Sequence, residues 1–361
     1  MIENKFNIAI IGAGIVGLAI AERLSRIYKN IIVIDKEQTF GQHVSSRNSE
    51  VIHSGFYYPK NSLKSRLCIK GNKMLYQFAE KYHINHRKCG KLVVINSADD
   101  EQELYFIKDN AINCGLDDVQ ILDRIKSQNI EKRVNCYKSL WVPSTGIIDS
   151  HGVMSKLEYL ARSRDVAIVY QTKLSAIKKI KGYYQLSFDN DDISISSDIV
   201  INAAGLWSDK VAHMIGLNNY QLEYFKGDYF KSRSIKNLNC LIYPLPTIST
   251  LGIHSVLSLN GDVSFGPNIY SVDKIDYKID DRFKEEYTNQ IKNLINIDNI
   301  DLHKDFSGIR PKVKFDGNFN DFIIQNESRS GFDNFINLIG IDSPGLTSSL
   351  AIAKYVYDLI R

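Results

Sequence analysis

The feature that most narrows what this chain can fold into lies at its start. An apolar run, Asn7-Ile8-Ala9-Ile10-Ile11, leads into Gly12-Ala13-Gly14-Ile15-Val16-Gly17, and an Ala/Leu/Ile-bearing stretch follows to about Tyr28. Ile31-Ile32-Val33-Ile34 then ends at Asp35. Strand, glycine turn, helix and strand in that order form a βαβ unit, so a parallel sheet is expected. Gly12 permits the tight turn, Gly14 lets the backbone reach a pyrophosphate, and Gly17 lets the helix sit close to the strand. The helix then aims its first amides at the phosphates. Ala13, Ile15 and Val16 line the same turn. Asp35, placed 18 residues after Gly17, is positioned to accept hydrogen bonds from an adenosine ribose, with Lys36 beside it. The pattern specifies a dinucleotide but leaves flavin and nicotinamide open.

At 361 residues and 44% hydrophobic content, the chain can bury two compact cores. The remaining patterning suggests an interleaved arrangement. Residues 60–86 have helical periodicity and are expected to pack over the nucleotide sheet. Lys91-Leu92-Val93-Val94-Ile95 reads as a strand, and a polar helical stretch runs from 99 to about 129. Helix Met154 to Arg162 precedes strands at Val166–Tyr170, Leu174–Ile180, Tyr184–Phe188 and Asp198–Asn202. Alternating segments between about 220 and 304 suggest antiparallel strands with a helix near 281–296. Strand Phe335–Ile339, a glycine turn and a helix from about 346 close the chain. We expect an α/β protein with a Rossmann-like dinucleotide domain from 1–88, 143–218 and 305–361. A mixed, mainly antiparallel sheet domain takes 89–142 and 219–304.

Charge and cysteine usage exclude several functions. Lys and Arg total 45 against 41 Asp and Glu, a formal charge of +4, with no basic run, so no nucleic-acid partner is expected. Cys68, Cys89, Cys114, Cys136 and Cys240 lack CxxC or metal-ligand spacing and read as reduced structural thiols, and no metal is expected. No run approaches the roughly 18 apolar residues of a membrane span. The expectation is a cytoplasmic protein without a removable signal.

Other segments favour flavin. Asp198 to Gly205 is an apolar strand ending in a small-residue turn, with Ala204 and Gly205 at its tip. It resembles the strand that follows the three-stranded insertion of FAD enzymes, and Leu174 is counted with the same contacts. Ser45-Ser46-Arg47-Asn48-Ser49 resembles the serine/arginine segment beneath the flavin in the D-amino-acid-oxidase-like superfamily. Ser343-Pro344-Gly345-Leu346-Thr347 resembles that superfamily's final flavin turn, where a helix start faces the charge that collects on the reduced ring. The resemblance is closer to the L-2-hydroxyglutarate dehydrogenase group. It is carried by Val51-Ile52-His53-Ser54-Gly55, Lys226-Gly227-Asp228-Tyr229-Phe230, Leu241-Ile242-Tyr243-Pro244, Leu251-Gly252-Ile253-His254, Phe265-Gly266-Pro267-Asn268, Gly308-Ile309-Arg310-Pro311-Lys312 and the C-terminal turn, in the same order along the chain. One departure is Arg47-Asn48-Ser49-Glu50, where that group carries His-Asn-Ser-Gly.

The resemblance implies FAD and oxidation of a small 2-hydroxy acid, L-2-hydroxyglutarate-like, to the 2-oxo acid by hydride transfer to flavin N5. The alternatives are amine oxidation of the glycine or sarcosine oxidase kind and glycerol-3-phosphate oxidation. Hydroxyl oxidation needs a base that titrates near neutrality, and His53 and His254 stand in the shared motifs as catalytic candidates. Arg310 is the candidate clamp for the substrate carboxylate because guanidinium grips it with two prongs. Lys226 and Tyr243 are candidates for a second polar end of the substrate. The implied electron acceptor is a quinone, an electron-transfer protein or oxygen, with loose peripheral association at the inner face of the membrane.

Overall fold

The computed structural model describes residues 5–189, 193–246, 252–314, 317 and 319–361, so Leu251 of the His254 motif lies outside the described residues. The chain divides into two compact units. One runs up to Ser46 and adds Ser150–Tyr224 and Arg310–Arg361; the other comprises Arg47–Asp149 and Phe225–Ile309.

The first unit is built on an eight-stranded sheet. Lys5–Ile11 lies between Ile31–Ile34 and Ser194–Asn202 and runs parallel to both. Ala167–Val169 continues the parallel edge, and Phe335–Ile339 pairs parallel with Ser194–Asn202. Leu174–Ile180 and Tyr183–Phe188 add antiparallel strands on the other side. Parallel strands covered on both faces read as unbroken apolar runs, and every residue of Ile31–Ile34 is buried. The helix Ile15–Leu24 ends short of Tyr28. It packs against the helices Ser150–Arg162 and Gly345–Ile360.

The second unit holds the antiparallel strands Asp262–Gly266, His254–Leu257 and the long strand Leu222–Lys236, whose first residues belong to the other unit. A four-stranded sheet has the order Leu241–Pro244, Lys91–Ile95, Lys138–Val142 and Gln120–Asp123. Its first pair is parallel, with Leu241 opposite Lys91 and Tyr243 opposite Val93. Phe230, Tyr243, Phe265 and Tyr287 are the large buried side chains of this unit's core.

Two local expectations change. The stretch 99–129 is not one helix, because Gln120–Asp123 pairs as a strand between the helices Glu101–Asn113 and Arg124–Ile130. The helix Leu63–Tyr82 clusters with the second unit rather than over the nucleotide sheet. Asn72 and Tyr76 on it donate to the Ser144 carbonyl at 3.0 and 3.3 Å. Among the described residues no helix is long and apolar enough to cross a membrane.

Candidate active site

The glycine turn of the first unit is as tight as its sequence requires. A Cβ on Gly17 would stand 2.0 Å from the Gly12 carbonyl oxygen, and one on Gly12, whose φ is +108°, would stand 2.5 Å from the Ala203 carbonyl oxygen. These glycines let three backbone segments meet: Gly12 donates to the Ile34 carbonyl and Ala203 to the Ile11 carbonyl. Asp35 closes the arrangement, its carboxylate accepting from Ala13 N at 2.6 Å and Glu37 N at 2.9 Å. Gly14 has no side chain to cap the helix that follows, and Ser45 Oγ takes over, accepting from Ile15 N at 3.0 Å. Ser46 bonds the His43 carbonyl. Thr172 donates to the Asp35 carbonyl, which fixes the approach of the strand that Leu174 opens.

Sequence reasoning named Lys36 beside this turn but missed Glu37, His43 and Trp207. Lys36 Nζ lies 3.1 Å from the Trp207 ring centre, and His43 meets the same indole edge-on while bonding Glu37 at 2.8 Å. Trp207 stands two residues after Gly205, so the signal was nearness in sequence alone. Beneath that turn lies a buried polar chain. Asn202 Oδ1 accepts from Ala204 N at 3.3 Å, and Asn202 Nδ2 donates to Asn337 Oδ1 at 2.8 Å and to the Ser208 carbonyl at 2.7 Å. Asn337 Nδ2 in turn donates to Glu327 Oε1 at 2.7 Å, as Tyr220 does at 2.6 Å.

Near the C-terminus, Gly345 N donates to the Asp342 carbonyl at 2.6 Å, starting the helix Gly345–Ile360. Ser343, Pro344, Leu346 and Thr347 form that start. Ser348 and Ser349 are buried with hydroxyls that lack a protein partner among the described residues. Arg310 is half-buried.

In the second unit, His254 Nδ1 lies 2.7 Å from the Gly252 carbonyl. A carbonyl can only accept, so Nδ1 carries a proton, and in the neutral form of the ring Nε2 is the basic nitrogen. The imidazole stacks on Tyr243, with ring centres 3.8 Å apart and planes 23° apart. His53 is held by its backbone, whose carbonyl accepts from Asn72 Nδ2 at 3.0 Å and from the Cys68 thiol at 3.5 Å. Lys226 is 4% exposed and donates to the Lys278 carbonyl. Arg47 lies over the Tyr277 ring at 4.0 Å. Asn48 Oδ1 accepts from Glu50 N at 2.8 Å. Ser49 joins these two residues. Glu50 has a φ of +53°, a conformation suited to glycine, which explains why a glycine serves at this place in the related pattern.

Lys91 escaped the sequence reading because it opens an otherwise apolar strand. It is fully buried, and its ammonium lies 4.9, 4.4 and 4.6 Å from the ring centres of Phe56, Tyr57 and Tyr243. Burial pulls its amine down to about 7. Aromatic faces in a dry site each attract an ammonium by up to about 2 kcal/mol. That attraction works against the desolvation and favours the charged form. Asp228, also fully buried, has its carboxyl pushed upward by burial; Tyr270 donates to it at 2.9 Å.

The family model described as FAD dependent oxidoreductase, DAO, matches residues 7–359. The chain belongs to this family. Within it, the DAO-family chain is similar to the mitochondrial L-2-hydroxyglutarate dehydrogenase of Arabidopsis thaliana, at 30% identity over 98% of this chain and 83% of that protein. It is also similar to a glycerol 3-phosphate dehydrogenase of Caloramator mitchellensis, at 28% identity over 99% of this chain and 74% of the other. The FAD-bound L-alpha-glycerophosphate oxidase of Mycoplasma pneumoniae superposes with a TM-score of 0.89 at 26% identity, covering 99% of this chain and 94% of that one. The residues present fit FAD. The glycine turn has no side chain where a pyrophosphate approaches, Asp35 retains lone pairs beyond its two amide bonds, and Ser348 and Ser349 bring buried hydroxyls to a helix start. The protein is an FAD-dependent oxidoreductase.

Proposed function

We propose that this oxidoreductase converts a small 2-hydroxy acid of the L-2-hydroxyglutarate kind to the 2-oxo acid. The observation that carries the chemistry is the His254 tautomer: Nδ1–H is spent on the Gly252 carbonyl, so Nε2 is the nitrogen able to take a hydroxyl proton. Arg310, half-buried, takes the substrate carboxylate as a bidentate partner, because the planar guanidinium matches the two carboxylate oxygens. Bound flavin supplies the two-electron acceptor to which the α-hydrogen leaves as hydride. Tyr243 orients His254 by stacking, Lys226 and Tyr243 address the distal end of the substrate, and His53 is the second candidate base. The residues from Gly12 to Gly17, with Asp35, Lys36, Ser45 to Ser49, Leu174, Ala204, Gly205 and Ser343 to Thr347, are assigned to the cofactor. The similarity to L-2-hydroxyglutarate dehydrogenases supports the substrate class.

A second reading, oxidation of glycerol 3-phosphate, is favoured by the similarity to the Caloramator and Mycoplasma enzymes. Anaerobic mixing with L-2-hydroxyglutarate, its D enantiomer, glycerol 3-phosphate and glycine separates these readings. Bleaching of the flavin by L-2-hydroxyglutarate in preference to the others is the expected result. Bleaching by glycerol 3-phosphate or glycine without L-2-hydroxyglutarate overturns the hydroxy-acid assignment. Reoxidation by quinone, electron-transfer protein or oxygen then identifies the acceptor. A cytoplasmic enzyme resting on the inner face of a membrane would copellet with vesicles.

A further inference from the structure

Among the described residues, Lys91 is a fully buried cation that the proposed chemistry does not use. Lys91 begins a strand whose other four residues are Leu, Val, Val and Ile, and all five positions are buried. A charged amine rarely occupies such a place without a partner or a role. Here its surroundings are Phe56 and Tyr57 from the segment before the helix Leu63–Tyr82, Cys68 from that helix, and Tyr243 from the neighbouring strand. The strand register explains the contact, since Leu241 pairs with Lys91 and Tyr243 therefore lies two residues along on the same face.

Tyr243 is thus shared. Its ring takes the Lys91 ammonium at 4.6 Å and stacks the His254 imidazole at 3.8 Å. A single aromatic ring separates the buried cation from the candidate base. We propose that Lys91 is a positioning residue for the reaction: its ammonium fixes the Tyr243 ring, and through that ring it holds His254 as the neutral, proton-accepting imidazole. This deepens the proposed function and rests on His254 being the base.

The physical reasoning has two parts. Geometrically, the cation–π attraction locks the phenol plane, and the stacked imidazole inherits that plane, so its Nε2 direction is set by Lys91 as well as by the Gly252 carbonyl. Electrostatically, a second positive charge one ring away makes protonation of His254 costlier. In an interior with an effective dielectric of about 20, a unit charge at that range shifts a titration by on the order of one pH unit. The titratable groups that face Lys91 are Tyr57, Tyr243 and the Cys68 thiol, and burial pushes both the Tyr57 phenol and the Cys68 thiol upward. Neither supplies an anion near neutral pH to cancel the lysine.

The test compares the FAD-loaded enzyme with Lys91→Met, which keeps the length and loses the charge, and with Lys91→Arg. Stopped-flow flavin reduction by L-2-hydroxyglutarate is followed against pH, and near-ultraviolet circular dichroism and flavin content check the fold. Lys91→Met should retain flavin yet reduce about 10-fold more slowly below neutral pH, with its acid limb displaced upward by about one pH unit. Lys91→Arg should restore the original limb. A folded Lys91→Met with an unmoved limb overturns the proposal. A substrate-free arm keeps it separate from the substrate assignment: the His254 ring is titrated by NMR, identified by its loss in His254→Gln. An upward displacement in Lys91→Met supports the proposal even where L-2-hydroxyglutarate fails to bleach the enzyme, an outcome that sinks only the substrate reading. Should Lys91→Met not fold, the unmutated protein decides, because the His254 signal must show a second step at the lysine's own midpoint. A single-step titration overturns the proposal.

Discussion

Replacing Asn337 with Leu should uncouple the flavin-side turn from the core of the sheet. Asn337 is fully buried and occupies the middle of a chain of hydrogen bonds, donating to Glu327 at 2.7 Å and accepting from Asn202 at 2.8 Å. Leucine keeps the branched skeleton, but its methyl groups are bulkier than the amide, so overpacking in this buried site adds to the loss of the bonds. The bond to the buried carboxylate is of the charge-assisted kind, worth about 1.5–3 kcal/mol, and the amide–amide bond about 1 kcal/mol. Glu327 keeps Tyr220 and, more weakly, Gln325 as donors, while Asn202 keeps the Ser208 carbonyl. The surviving bonds cap the loss, and the expected destabilisation is about 3 kcal/mol. That is a large part of a typical folding free energy of roughly 5–15 kcal/mol. Urea unfolding of the flavin-free protein measures it. Because Asn202 also holds Ala204 N, flavin affinity should fall as well, by about 5-fold, read by fluorescence titration. A loss under about 1 kcal/mol with normal flavin affinity would show that the chain of amides neither carries load nor steadies the turn.

Three further outcomes follow from other sites. Gly17→Ala should give a colourless protein, because its Cβ would meet a backbone carbonyl at 2.0 Å; a folded Gly17→Ala variant with full flavin content would contradict the packing argument. Arg310→Lys should lower kcat/KM for a carboxylate substrate at least 10-fold, about 1.4 kcal/mol, with flavin content unchanged, and unaltered kinetics would remove Arg310 from substrate binding. Lys91→Met should stabilise the fold most below neutral pH. The folded amine titrates near 7 and the unfolded one near 10.5. The unfolded chain therefore binds more protons between those values, and wild-type stability rises with pH across that window. Below pH 7 the penalty is fully present, at most about 5 kcal/mol before the aromatic attraction is set against it. Chemical denaturation at pH 6 and pH 10 checks the sign, and a wild type no more stable at pH 10, relative to Lys91→Met, would refute it.

The nucleotide-binding half of the fold was legible because its constraints are local. Ile31–Ile34 reads as a buried parallel strand from four residues, and the glycine spacing follows from backbone clashes that no other residue can relieve. The strand Phe335–Ile339, buried throughout, announced itself the same way. The stretch 99–129 was less readable. Gln120–Asp123 is short and only partly buried, and its identity as a strand depends on Lys138–Val142 beside it. The helix Leu63–Tyr82 showed its period but not its partner, since amphipathicity tells a helix to pack without telling it against what.

The same distinction separates the cofactor residues from the polar ones. A glycine turn is written in consecutive residues, but the Asn202–Asn337–Glu327 chain joins residues that are 135 and 10 apart in sequence. Asn202 ends its strand and Asn337 sits in the middle of the strand paired with it, and the register makes them neighbours. In sequence each looks like a polar interruption of an apolar run. Lys91 presents the same signature: one lysine before four apolar residues, which reads as a solvated strand end. Its burial is decided by Leu241–Pro244, a strand some 150 residues later that covers it on one side and brings Tyr243 to its ammonium. A polar residue inside an otherwise apolar strand of an α/β protein is therefore best treated as one half of a pair. The other half lies in whichever strand the sheet order places alongside, and in this chain that second strand leads directly to His254.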